Sequence, residues 1–139
     1  MSDTNMSEDA AEKEFERWAE FHGIKTASSD VRIQGQVQKA KERMIKAFIS
    51  GELVLDDSGV LEYTISGRSP QGFAGEKVRI SGMTGKAWMA MDKYGENEQI
   101  HQLIATASAV TGKDVGWFGN LANPDFLLFT NVIALFMNA

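Results

Sequence analysis

The spacing of apolar positions changes twice along the chain and divides it into three stretches. Across residues 8–22, Ala11, Phe15, Trp18 and Phe21 recur at helical intervals with acids between them, which predicts an amphipathic helix ended by Gly23. Residues 25–30 read as a loop, with Ser28, Ser29 or Asp30 available to cap a second helix. That helix runs to about Ser50 with Ile33, Val37, Ala40, Met44, Ala47 and Phe48 on one side and Gly51 as its stop. The period then shortens to two. Residues 52–55 and 60–65 flank Asp56-Asp57-Ser58-Gly59, a type I turn closed by a left-handed glycine, and so predict a β-hairpin. After a loop over 67–75, residues 76–80 alternate as a third strand. Helical spacing then returns: Thr84 caps a helix to about Tyr94, and Asn97 caps one carrying Ile100, Leu103, Ile104, Ala107 and Val110. Thr111-Gly112 ends it, and Asp114 opens a short turn with Val115, Trp117, Phe118 and Leu121.

The last helix differs from the others. Asn123 is placed as its cap, Pro124 suits the first helical position, and Asp125 favours the positive end of the dipole. From Phe126 to Met137, apolar side chains cover every side of the helical wheel. Such a helix must be buried all round. It is too short for a bilayer, which needs about 20 apolar residues. Either it is the central helix of a core or it lies partly in an interface, because a small domain has difficulty enclosing a helix completely.

Strands that follow helices and precede further helices indicate an α+β fold. The expected architecture is N-terminal helices, a small antiparallel sheet of about three strands with a hairpin, and a C-terminal helical bundle. Residues 1–7 read as a disordered polar tail, 8–50 as an N-terminal helical segment, and 51–139 as the hairpin plus helical core, all in one domain.

Charge sharpens this picture. Seven acids and two bases lie in residues 1–20, so the whole net charge of −5 sits there and the remaining chain is neutral. Phosphate backbones are repelled by that end and not specially attracted elsewhere, so no nucleic acid is expected as a partner. The basic run Lys39, Lys41, Arg43, Lys46 is interrupted by Glu42 and has no aromatic platform beside it. No membrane partner is expected either: no apolar run is long enough to span one, and the first residues lack the apolar region of a signal peptide. The absence of cysteine excludes disulfides and thiolate chemistry and fits a reducing cytoplasm.

Catalytic chemistry is sparse. His22 and His101 sit in no motif, and His101 reads as a partly buried structural residue. Gly85-Lys86 lacks the flanking glycine and hydroxyl of a phosphate loop, since Ile80 and Ala87 stand there. The acids of the hairpin turn lack calcium-loop spacing. No enzyme activity, cofactor or metal is expected. Exposed-looking apolar material is more prominent: Met83, Trp88, Met89 and Met91 cluster, and Trp117 and Phe118 lie in a glycine-flanked turn. Adaptable methionines and aromatic anchors suit protein interfaces, though they could equally complete a small core. The partner-binding candidates are Trp88, Met91, Trp117, Phe118, Phe129, Phe136 and Met137.

A hairpin after Gly51 leads through a glycine-rich link to Met83-Thr-Gly-Lys-Ala-Trp-Met-Ala-Met-Asp92. Ala105-Thr-Ala-Ser-Ala-Val-Thr-Gly112 follows, then a turn with Leu121, then Asn123-Pro-Asp-Phe-Leu-Leu-Phe-Thr-Asn-Val-Ile-Ala-Leu-Phe136. Over residues 51–138 this order resembles the tail assembly chaperones of tailed bacteriophages; the helices of 8–50 lie outside the common pattern. The resemblance implies a non-catalytic protein that binds the tape-measure protein in the host cytoplasm, self-associates as a homo-oligomer, and leaves before the virion matures. It also implies, in many members, a longer frameshifted product. The alternative function is a virion structural subunit, either a tail or a head-tail connector protein.

Overall fold

A computed structural model describes residues 6–95 and 97–137. The elements in chain order are α1 (Glu8–Phe21), α2 (Val31–Ser50), β1 (Leu53–Leu55), β2 (Leu61–Thr64), β3 (Lys77–Ile80), α3 (Gly85–Met91), α4 (Gln99–Thr111), α5 (Val115–Phe118) and α6 (Asn123–Phe136). The fold is α+β, as the periodicity indicates. Asp30 caps α2 by accepting from the Arg32 and Ile33 amides, Gly51 ends it at φ 82°, and Thr84 caps α3 by accepting from the Ala87 amide. Several expected boundaries move, among them the end of α3, which stops at Met91 and not at Tyr94. Ser7 caps α1 through the Ala10 amide and the Met6 amide donates to Ile49, so these two residues are not tail; residues 1–5 lie outside the described ones. Glu98, not Asn97, precedes α4, and Ala122, not Asn123, precedes α6.

The strands form an antiparallel meander in the order β1-β2-β3. Leu53 faces Tyr63, Leu55 faces Leu61, Leu61 faces Ile80 and Tyr63 faces Val78. These side chains are all buried, while Val54, Lys77 and Arg79 between them are exposed. Alternation of this kind fixes the register, because a one-residue slip would turn the buried set outward.

Helix α6 is the axis of the core. Helices α2 and α4 pack along it. The ring of Trp18 meets Phe136 at 5.3 Å and His22 meets it at 5.2 Å, both edge-on. Tyr63, Trp117 and Phe118 converge edge-on around Phe129 at 5.6, 6.0 and 5.3 Å. Edge-to-face pairs add about 0.5–1.5 kcal/mol each to the burial energy. The chain therefore encloses the rings of Phe129 and Phe136 by itself, while Phe126 at the start of α6 is only partly buried. The cover comes from α1, the hairpin and α5 together. One polar loose end remains in this cluster: the buried indole N–H of Trp18 has no acceptor among the described residues.

The hairpin turn docks α1 onto the sheet. The Asp56 carboxylate accepts from the Ser58 amide and hydroxyl and from the Val60 amide. The Val60 amide is the main reason that the Asp56 carboxyl titrates below its usual range. The Gly59 amide donates to the Asp56 carbonyl, and Gly59 itself lies at φ 82°. Its own carbonyl accepts from His22 Nε2 at 2.7 Å, which requires the proton on that nitrogen. A Cβ at position 59 would come within 2.3 Å of the Phe21 ring. Two constraints thus select glycine there: a left-handed backbone and an aromatic ring in the space a Cβ would fill.

Gly59→Ala is expected to cost about 2 kcal/mol, from the left-handed strain plus displacement of Phe21. In a double-mutant cycle, Phe21→Ala should recover part of that loss, because it empties the space a Cβ needs. Chemical denaturation of the four proteins measures this; strict additivity would show that the ring contact carries no weight.

Candidate functional site

Burial and exposure separate the partner-binding candidates into three groups. Phe118, Phe129 and Phe136 are fully buried within the chain and touch no solvent. They are core residues, a correction to their placement as partner-binding. The sequence shows that these rings need cover but not that Trp18, His22, Tyr63 and Trp117 supply it. Trp117 is half-buried: it packs on Phe73, Phe118 and Phe129, and the Lys113 ammonium sits 5.2 Å from its ring centre. Lys113 is held there by an ion pair with Glu76. Trp117 thus closes one end of the core.

Met137 is also half-buried and lies elsewhere. With Ile33, Val37, Leu103 and Leu135 it lines a groove of about 510 Å3 between α2, α4 and α6. Gln36, Gln99, Gln102 and Asn131 form its polar rim.

Helix α3 holds the remaining candidates. It packs against α4, and Ala87 is its one fully buried side chain. Alanine there lets the two backbones approach closely. The neighbouring side chains then stand outward: Trp88 is 42% exposed and Met89 72% exposed, while Met91 is half-buried. Ile100 at the start of α4 is also exposed on this helical pair. The structure therefore keeps Trp88 and Met91 as surface candidates, adds Met89, and does not bring them together with Trp117 or Met137. His101, expected to be partly buried, is instead exposed and stacks on Tyr94 with ring centres 5.5 Å apart. Among the described residues, no cluster of three or more His, Asp or Glu side chains could hold a metal ion, and no helix is long and apolar enough to cross a membrane.

A buried polar node went unseen in the sequence. Asp125, in the first turn of α6, is completely buried. Its carboxylate accepts from the Tyr63 hydroxyl at 2.6 Å, the Ser69 hydroxyl at 2.6 Å, and the Ser66 hydroxyl and amide at 2.9 and 3.1 Å. Ser69 Oγ accepts in turn from the Ala122 amide at 2.8 Å. The acid at the third helical position would normally reach back to that amide itself. Here a serine from the loop after β2 is inserted between them. Burial pushes the Asp125 carboxyl up, but the hydrogen bonds from Ser69, Tyr63 and Ser66 outweigh it, so Asp125 titrates below its usual range. Burial and the neighbouring carboxylate raise the Tyr63 hydroxyl far above its usual range. All acceptor sites face donors and none faces solvent, so the node binds segments of the chain together rather than a ligand.

Comparison of the chain with protein-family models, with curated proteins and with solved structures gives no match.

Asp125→Ala is expected to lower stability by about 3 kcal/mol, since it strands three hydroxyl groups and an amide. Tyr63→Phe, which removes one donor and keeps the ring against Phe129, should cost about 1–2 kcal/mol. Because the folded value for Asp125 lies below the unfolded one, its contribution is complete above about pH 4 and is lost as pH falls through the folded value. Unfolding free energies measured against pH should show this acid limb in the natural chain and a flatter one in Asp125→Ala.

Proposed function

We propose that the chain is a non-catalytic tail assembly chaperone that holds the tape-measure protein through the outer face of α3 and self-associates in the host cytoplasm. The observation that carries this reading is the Trp88–Met89 pair. A tryptophan and a methionine stand adjacent and exposed on a short helix whose buried side is supplied by Ala87. Adaptable methionine beside an aromatic anchor suits an amphipathic client helix, which is read by apolar contact rather than by charge. The same residues lie inside Met83–Asp92, one of the segments on which the resemblance to tail assembly chaperones rests. Catalysis plays no part in this reading, and neither does a cofactor.

The test is co-expression with the tape-measure protein encoded nearby, followed by capture. Trp88→Asp together with Met89→Asp should weaken capture at least about tenfold, which corresponds to roughly 1.4 kcal/mol. The thermal midpoint should stay nearly unchanged, because both side chains are exposed. Capture that is unaffected by the pair of substitutions removes α3 as the client site. Stoichiometric presence of the protein in purified particles would instead make it a virion structural subunit.

A further inference from the structure

The chain carries a basic groove beside α2 and, elsewhere, a run of unpaired acids on α1, and we infer that these two surfaces bind each other between copies. The inference rests on the self-association included in the proposed function and supplies its interface. The receiving face is a groove of about 460 Å3 between α2, the hairpin and the start of α6. Lys39, Arg43 and Lys46 follow one another along α2 at helical spacing on its wall, and Arg68 lies opposite. Lys39, Lys46 and Arg68 are exposed, and none of the four cations forms an ion pair among the described residues. Of the two acids in the groove, Glu42 accepts from Gln38 and Glu52 from Ser50. An acidic protein thus carries a concave surface with surplus positive charge.

The matching face is on α1. Glu8, Asp9, Glu16 and Glu20 are exposed and form no ion pair among the described residues. Asp9 to Glu16, with the exposed base Lys13 between them, span about 10 Å of helix at 1.5 Å per residue, the same length as Lys39 to Lys46. Within one chain they form no ion pair with each other among the described residues. Helix α1 packs on the flank of α2 where Lys41 reaches Glu12 and stands over the Phe15 ring, whereas the groove opens on the flank toward α6. The acids of one copy are left accessible to the groove of a second. Charge complementarity of this kind sets orientation and association rate and is screened by salt, since the Debye length falls from about 10 Å at 0.1 M to about 3 Å at 1 M.

The experiment is sedimentation of the full chain over a concentration series at low and high salt, with two charge-reversed variants. Lys39→Glu with Lys46→Glu reverses the groove; Glu16→Lys with Glu20→Lys reverses the helix. All four side chains are exposed, so circular dichroism should be unchanged. Self-association should weaken at least about tenfold between 0.1 M and 1 M salt. Each variant alone should lose it, and an equimolar mixture of the two should recover it as a mixed species. Self-association that ignores salt and both reversals overturns this interface and leaves the assembly reading intact. A natural chain that stays monomeric at low salt overturns both the interface and the self-association, while client capture through α3 is unaffected. A monomer whose groove binds heparin would assign it to a polyanion and equally overturn the inference.

Discussion

The rest of the structure depends on the Asp125 carboxylate. An ion removed from water is costly unless its lone pairs are fully occupied, and here four hydrogen bonds occupy them. The donors come from β2 and from the loop that follows it, so the carboxylate fastens the sheet to the first turn of α6. That attachment sets where α6 begins and at what angle it crosses the hairpin. Every apolar contact further along the helix inherits that placement. Phe129 meets Tyr63 one turn beyond the node, and the hydroxyl of the same Tyr63 is a donor to it. One residue thus joins the polar anchor to the apolar core.

What could be read from the sequence was whatever is decided locally. The helices of α1 and α2 follow from spacing, and the hairpin from an Asp-Asp-Ser-Gly turn whose chemistry is complete within five residues. Gly59 was legible as a left-handed position, but its second constraint, the ring of Phe21, comes from another element. The same distinction explains Asp125. In sequence it is an acid at a helix start, for which the dipole is sufficient reason; its partners Tyr63, Ser66 and Ser69 are distant in the chain. Phe118, Phe129 and Phe136 were ambiguous for an equivalent reason. An all-round apolar helix states that cover is needed and is silent about who provides it.

The surface candidates divide along the same line. Trp88 and Met89 were identifiable by type, and their exposure follows from Ala87 being the residue that α3 buries against α4. Trp117 resembles them in sequence, yet its ring is drawn inward by Phe73, Phe118 and Phe129. A neutral count over residues 21–139 likewise hid that Lys41 pairs with Glu12 of the preceding helix whereas Lys39 and Lys46 form no ion pair among the described residues. Net charge sums over a surface and erases its geometry.

The pairing of Trp18 and His22 with Phe136 has a consequence for how the protein is made. Helix α1 leaves the ribosome before every other described element, but the ring that completes its core appears only when α6 has been synthesised. Until then Phe15 and Trp18 have an incomplete shelter of α2 and the hairpin. Contacts between such distant parts of the chain close late and at an entropic cost. Before Phe136 is synthesised, the apolar stripe of this acidic, amphipathic helix lacks one of the rings that cover it in the finished fold. The acids on its outer side lie beside that stripe from the start of synthesis, so charge repulsion between nascent chains opposes contact through it.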